Sequence, residues 1–407
     1  MKSILFIFCA FVLMNFISSC TDSHKEDYQS KIDSSIRSLH QKLQEDLQYD
    51  VPSLSIYVVS PKGTYFSTVT GKNGTPVTED TYFRFASNTK NFTSTAILKM
   101  MQDGWLNLDD FITANIPGTN IPYTPVTPEW NFPHKNEITI RQLLQHNAGV
   151  YDITNDTSQF GVNGITWEEY MLHTSPDHQF TTTQFVSLLT EHNLTYGAPD
   201  TVYHYSNTGY SILGEIIRRV YSHQKGTEKT YGDYMNDYII GSQTKVPLNI
   251  KFAELSTDQQ LPNPYVKGYI LNDNGYEITD QKNASGKIAE GNGIGTMKEL
   301  SRYIRSIMRG ENVLSAESLE LMKNNKGPAT AEGNDYALGC VHKQGIGYGH
   351  DGATEGYLSL MLYDPETDIT TIVLLPFWDL RNDMKDFGKC FNTITQAALD
   401  TKKALGY

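Results

Sequence analysis

"FASNTKNFTSTAILKMMQDG", Phe85 to Gly104, starts aromatic and turns into a run with helical spacing, and its first turn holds Ser87 and Lys90. The preceding "TYFRFA" reads as a short strand, while Thr95, Leu98 and Met101 continue the helical stripe. Ser87 therefore sits where a strand hands over to a helix. Residues three apart share a helix face, which brings the Lys90 ammonium within reach of Ser87 Oγ. The helix N-terminus adds unpaired N–H groups and partial positive charge, both suited to a developing oxyanion. Enclosure there would draw the lysine pKa down toward ~7–8, low enough to take the serine proton. The plainer reading of the same residues is a serine N-cap followed by an exposed lysine. A cation beside the positive helix end is unfavourable, which weighs mildly against that reading. Ser-x-x-Lys recurs at Ser222/Lys225 and Ser242/Lys245, but both of those stretches read as polar loops.

On either side of this stretch the pattern changes. "SLSIYVVSPKGTYFSTVTG", from Ser53, reads as two strands around a turn at Ser60 to Gly63, and a helix with Ile36, Leu39, Leu43 and Leu47 on one stripe precedes it over 30–48. The middle, 105–288, is rich in helical patterns such as "ITIRQLLQH" and "YSILGEIIRRVY", separated by loops rich in Pro, Asn and Thr. Strand patterns return in "YALGCVHK", "GYGHDG", "GYLSLMLYD" and "ITTIVLLPF", and an amphipathic helix over 383–405 closes the chain. Strands at both ends with helices between them predict an α+β fold. Its antiparallel sheet is built from both chain ends and flanked by terminal helices (30–104 with 289–407), and a mainly helical lobe (105–288) is inserted. A cleft between the two is the natural binding site.

Bulk properties narrow the function. The chain has 407 residues, 39% of them hydrophobic, and a formal net charge of −13, so it affords a large core but repels nucleic acid and anionic lipid. "MKSILFIFCAFVLMNFISSC" has one lysine, an apolar run from Ile4 to Ile17 and then small residues, the anatomy of an export signal. Ile17-Ser18-Ser19-Cys20 resembles a bacterial lipobox, which makes Cys20 the expected lipidation site and the protein an exported lipoprotein of the cell envelope, followed by a polar tether over 20–29. Cys340 and Cys390 read as two buried thiols, with a disulfide between them as the alternative. The eleven histidines lack metal-ligand spacing, so neither a metal nor another cofactor is expected.

Two further stretches give the Ser and Lys pair a context. "YHYSNTGYSILGEIIRRV" holds Tyr205-Ser206-Asn207, and "GYGHDGATEGY" holds His350-Asp351-Gly352. In this order and setting the chain, from about Val51 to Phe377, resembles the penicillin-recognising serine hydrolases. That family includes class C β-lactamases, serine D-Ala-D-Ala carboxypeptidases and related esterases. "LLQHNAGV" (Leu143 to Val150) is similar to the family's "LLSHTSGL", "YSNTGYSILGEII" follows a family signature, and "GNGIGTMKELSRY" matches its glycine-rich turn into a helix.

The resemblance implies a β-lactamase/transpeptidase-like fold and a role for each motif residue. Ser87 would be the acylated nucleophile, Lys90 its proton acceptor, and Tyr205 the proton shuttle to the leaving group. Asn207 would hold Lys90 and a substrate amide. His350 and Gly352 would line the substrate site from the sheet edge, and the N–H groups of Ser87 and Ala353 would form the oxyanion hole. The implied substrate is a peptide or ester, foremost a D-Ala-D-Ala end of a peptidoglycan stem peptide. A class C-like β-lactamase and an inactive binding module are the alternatives. Two departures matter. Asp351 stands where relatives that bind a substrate carboxylate place Thr or Ser, and it would repel that carboxylate by several kcal/mol if both were desolvated. His350 in place of Lys removes a permanent cation.

Overall fold

The structure, a computed structural model, describes residues 27–280, 282–331 and 334–407. The export signal and Cys20 lie outside the described residues. Six antiparallel strands form the main sheet in the order β2-β1-β11-β10-β9-β8. The chain's first hairpin supplies β1 (Ser53–Ser60) and β2 (Gly63–Thr70), closed by Pro61 and Lys62 with Ser60 opposite Gly63. The last third of the chain supplies β8 (Val341–Lys343), β9 (Gly347–Thr354), β10 (Tyr357–Asp364) and β11 (Ile369–Leu375). Both chain ends thus meet where β1 pairs with β11, with Ile56 opposite Val373.

Side chains alternate across this sheet with a period of two, and both faces are covered. Leu54, Ile56, Val58, Leu358, Leu360, Leu362 and Val373 face helix α1 (27–47) and the C-terminal helix, whose Ile32, Ile36, Leu43, Cys390 and Ile394 complete one core. Tyr57, Met361, Tyr363, Ile372 and Leu374 face the other way, onto α2 (Thr89–Gln102) and a later helix carrying Leu300, Tyr303, Ile304 and Ile307. The strands therefore read as near-continuous apolar runs.

Helix α2 runs through the centre of the molecule, and most of its side chains are buried on every side although many are polar. Each polar group finds a partner from a different segment. Asn91 Nδ2 donates to Gly339 O (2.9 Å), Ser94 Oγ to Leu338 O (2.6 Å) and Thr93 Oγ1 to Ala289 O (2.6 Å). These bonds satisfy buried polar atoms and pin two loops against the helix that starts beside Ser87.

The middle of the chain carries α-helices among long loops, α3 (Ile140–Leu144), α4 (Trp167–Thr174), α5 (Thr182–Glu191), α6 (Asn207–Lys225) and α7 (Tyr231–Tyr234). Capping boxes at Thr139/Gln142 and Thr181/Gln184 start α3 and α5, and α6 begins on Ser206 and stops at Gly226, whose φ is +67°. This middle also gives strands back to the ends. Strand β4 (Lys251–Phe252) joins β3 (Tyr82–Arg84) and β7 (Gly293–Thr296), while β5 (Tyr269–Asn272) and β6 (Gly275–Ile278) join β12 (Phe377–Asp379). Helices α8 (Met297–Met308), α9 (Ala316–Asn324) and α10 (Lys385–Ala404) complete the fold.

"YALGCVHK" differs from its strand reading, since only Val341 to Lys343 form a strand, with Tyr336 in an isolated bridge to Val341. Gly339, at φ +60°, and a bond from Ala337 N–H to Cys340 O turn the segment toward α2 instead, where Leu338 O and Gly339 O accept the bonds above. Cys340 and Cys390 are both free and buried.

Leu360, fully buried between the sheet and the terminal helices, should lose about 2–5 kcal/mol of stability on Leu360→Ala. Val126→Ala, at a site 78% exposed, should change it by less than about 0.5 kcal/mol. Urea unfolding of the two variants beside the parent checks both.

Candidate active site

Ser87 lies in a single 3₁₀ turn, Ala86–Asn88, between β3 and α2. Ala86 holds φ at +52°, a left-handed conformation that a residue with a Cβ adopts at a cost. The turn is held down by Asn88, whose Nδ2 donates to Phe85 O (2.9 Å) and to Ser359 Oγ on β10 (2.8 Å). Ser87 remains half-buried while its neighbours on both sides are buried.

Lys90, one turn on, has no exposed surface. Its ammonium has three partners: Asn207 Oδ1 (2.6 Å), Glu290 O (2.8 Å) and Ser87 Oγ (3.1 Å). The first two are acceptors only. The Asn207 amide is oriented by its other end, where Nδ2 donates to Thr154 Oγ1 (3.0 Å). Two N–H groups of Lys90 are therefore committed, and the third direction points at the serine. When the amine loses a proton, its lone pair faces Ser87 Oγ, which is the geometry of a general base. Burial disfavours the charge and lowers the Lys90 pKa to about 8, with Glu290 and Asp152 opposing the fall. Roughly a tenth of the molecules would then carry the neutral amine at pH 7.

Tyr205 completes the group, with its ring centroid 4.9 Å from Lys90 Nζ. Burial raises its pKa well above the ordinary value, while a hydrogen bond with Ser87 pulls weakly the other way, so the side chain is the phenol at neutral pH. Behind it the His146 ring lies 4.2 Å from the Tyr205 ring. His146 Nδ1 accepts from Ser206 N–H (3.1 Å), which fixes the proton on Nε2 and the ring as neutral. Asp152 accepts from Asn207 N–H (3.1 Å) and places a carboxylate at the positive end of α6.

The opposite wall is β9. Strand β8 covers β9 only as far as Gly349, opposite Val341, so the edge from His350 to Thr354 is free of that strand. Gly352 is required there: a Cβ would lie 2.2 Å from Phe85 O. The close approach brings Ala353 into the cleft that Ser87 and Asn207 line. Asn155, Lys287, Glu290, Thr354, Glu355 and Trp378 complete that lining.

His350 lies behind Tyr205, with the two ring centroids 6.4 Å apart. It is buried, its Nδ1 donates to Asp351 O and its Nε2 accepts from Tyr336 OH (3.1 Å), so both ring nitrogens are used within the protein. Burial lowers its pKa to about 4, which leaves it neutral. It thus packs behind the site, supporting Tyr336, and presents no free nitrogen to a substrate. Asp351 turns to Lys343 on β8, with Nζ 2.7 Å from its carboxylate. Among the other residues weighed from sequence, Trp130 is core, donating to Thr183 Oγ1 (3.0 Å), and His204 stacks on Tyr196.

Comparison with known proteins bears on this arrangement. The family model described as Beta-lactamase matches residues 34–380. The chain belongs to the beta-lactamase family. Protein flp from Staphylococcus aureus is 30% identical over 230 residues, 52% of this chain but only 36% of that protein, so the chain spans about a third of the length of that relative. Among solved structures, a D-stereospecific amidohydrolase from Streptomyces sp. superposes with a TM-score of 0.69 at 21% identity, covering 89% of this chain and 98% of that one. A D-amino acid amidase from Ochrobactrum anthropi, complexed with L-phenylalanine amide, gives 0.68 at 22%, covering 92% and 99%. These likenesses carry the fold, an antiparallel sheet with flanking helices shared across the beta-lactamase family.

Lys90→Met should lower kcat/KM for p-nitrophenyl butyrate about a hundredfold to ten-thousandfold, the usual worth of a positioned base. In the parent, kcat/KM should climb with rising pH through a midpoint near 8, because the neutral amine is the active form. Initial rates between pH 5 and 10 test both.

Proposed function

We propose that the protein is a serine acyl hydrolase that cleaves amides or esters with small acyl groups and no free carboxylate beside the scissile bond. The observation that carries the reading is the Lys90 ammonium, two of whose three partners are fixed acceptors and whose third is Ser87 Oγ. Lys90 takes the Ser87 proton as Oγ bonds to the substrate carbonyl carbon. The carbonyl electron pair moves onto oxygen, held by the N–H groups of Ser87 and Ala353. Collapse expels the amine or alcohol, which takes a proton from the Tyr205 phenol, and Lys90 returns its proton to Tyr205. Water then repeats the sequence on the Ser87 ester, and the serine is restored.

Two features support the choice of substrate. The cleft beside Ser87 encloses only about 60 Å³, which suits a small acyl group. Asp351 occupies the sheet edge where a substrate carboxylate would arrive, and its ion pair already engages Lys343. Amides of D-amino acids are the first candidates, in keeping with the amidases that share the fold. A D-Ala-D-Ala carboxypeptidase acting on peptidoglycan stem peptides is the second reading. Lys343 favours it, since that lysine could exchange Asp351 for a substrate carboxylate. Export and lipid anchoring through Cys20 belong to the same proposal and rest on the N-terminal sequence.

D-alanine amide should be hydrolysed with a kcat/KM at least about tenfold above that for a D-Ala-D-Ala peptide, and Asp351→Thr should narrow the gap by raising the peptide rate. Product release measured for both substrates decides. A parent enzyme that prefers the peptide would establish the carboxypeptidase instead.

A further inference from the structure

Glu290 is buried, 1% exposed, and the mechanism above uses only its main-chain carbonyl. Its position is built with care. The preceding Ala289 holds φ at +67°, and Thr93 from α2 donates to Ala289 O, so the turn presents Glu290 O to Lys90 from a fixed direction. The Glu290 carboxyl is enclosed beside the same ammonium. Ser211 Oγ on α6 donates to Oε2 (3.2 Å), but Oε1 is buried with no hydrogen-bond partner. Glu290 and Lys287 both line the cleft that holds Ser87. An orphaned carboxyl oxygen in this setting is costly, and packing alone does not call for it.

We infer that Glu290 is a positioning residue for Lys90, aligning the amine through its carbonyl and setting the proton affinity of that amine through its buried carboxyl. The inference rests on the reading of Ser87 and Lys90 as nucleophile and base. A carboxylate near Lys90 stabilises the ammonium, so the charge on Glu290 holds the lysine pKa up against burial, and it is the largest of the effects opposing that burial. Burial raises the pKa of Glu290 itself to about 8, with Lys287 and Lys90 pulling it down. The carboxyl therefore changes charge in the same range of pH as the base it faces.

The other charged groups around the pair are accounted for. Lys287 is committed to an ion pair with Glu168, and Asp152 accepts from Asn207 N–H and from Thr154. Asp351 pairs with Lys343, His146 and His350 are neutral, and Tyr205 and Tyr210 are phenols. Among the carboxyls acting on Lys90, Asp351 is paired with a cation, Asp152 is held by neutral donors, and Glu290 keeps a buried oxygen with no hydrogen-bond partner.

The test is the rate of labelling by a fluorophosphonate probe, in which Ser87 Oγ displaces fluoride from phosphorus, measured from pH 5 to 10. Parent, Glu290→Gln, Ser211→Ala and Ser87→Ala are compared using the full chain. The Glu290 carboxyl is uncharged well below pH 8, so Glu290→Gln should leave the foot of the acid limb in place and bring its upper part, between pH 7 and 9, toward lower pH. At pH 8 that raises labelling relative to the plateau about twofold, with no change at pH 6. Ser211→Ala withdraws a bond from the ionised carboxylate and should shift the limb the same way by less. It decides the matter if Glu290→Gln fails to fold. Profiles that superpose after scaling, with a change in height alone, overturn the role of Glu290 and leave the serine mechanism standing. Labelling that survives Ser87→Ala overturns both.

Discussion

The site depends on one constraint: a lysine ammonium buried out of water must have every N–H received, or the fold loses several kcal/mol. Lys90 meets it with partners from three distant parts of the chain, Ser87 in its own first turn, Asn207 at the start of α6 and Glu290 in the turn before β7. Those partners fix the relative placement of the sheet end, the helical middle and the return toward β7. The same requirement makes the chemistry available. Two acceptor-only partners leave one direction for the lone pair, and burial lowers the cost of giving up the proton.

The opposite wall obeys a steric constraint. Gly352 lets β9 approach Phe85 O to a distance that no side chain would allow, and the free edge of β9 then confronts Ser87. A larger residue at 352 would push Ala353 away from the serine. Asp351 belongs to the same strand, and it pairs with Lys343 on β8.

Much of this was legible in the sequence because it depends on local patterns. The hairpin 53–70, the capped helix at Asn207 and the helix opened by Ser87 each carry their own periodicity and turn residues. The motif residues Ser87, Lys90 and Asn207 do meet, and Tyr205 lies over Lys90. The contribution of Glu290 was hidden because it acts through a main-chain carbonyl that any residue could supply. Lys287, Glu355, Asn155 and Trp378 reach the cleft from segments whose convergence is a property of the tertiary fold. The family resemblance implies a place for His350 in the substrate site, whereas in the structure its ring is buried against Tyr336. The short pairings of β4 with β7 and of β5 with β12 were not legible either, since two to four residues carry too little pattern to announce a partner far along the chain.

The central claim is that Ser87, activated by Lys90, carries the acyl group. The most direct measurement is acid-quenched mass spectrometry of the protein during turnover of p-nitrophenyl butyrate, with the adduct mapped by peptide digestion. The account predicts a single butyryl group on Ser87, absent in Ser87→Ala along with turnover. A butyryl group on any other residue, or turnover that persists in Ser87→Ala, would contradict it.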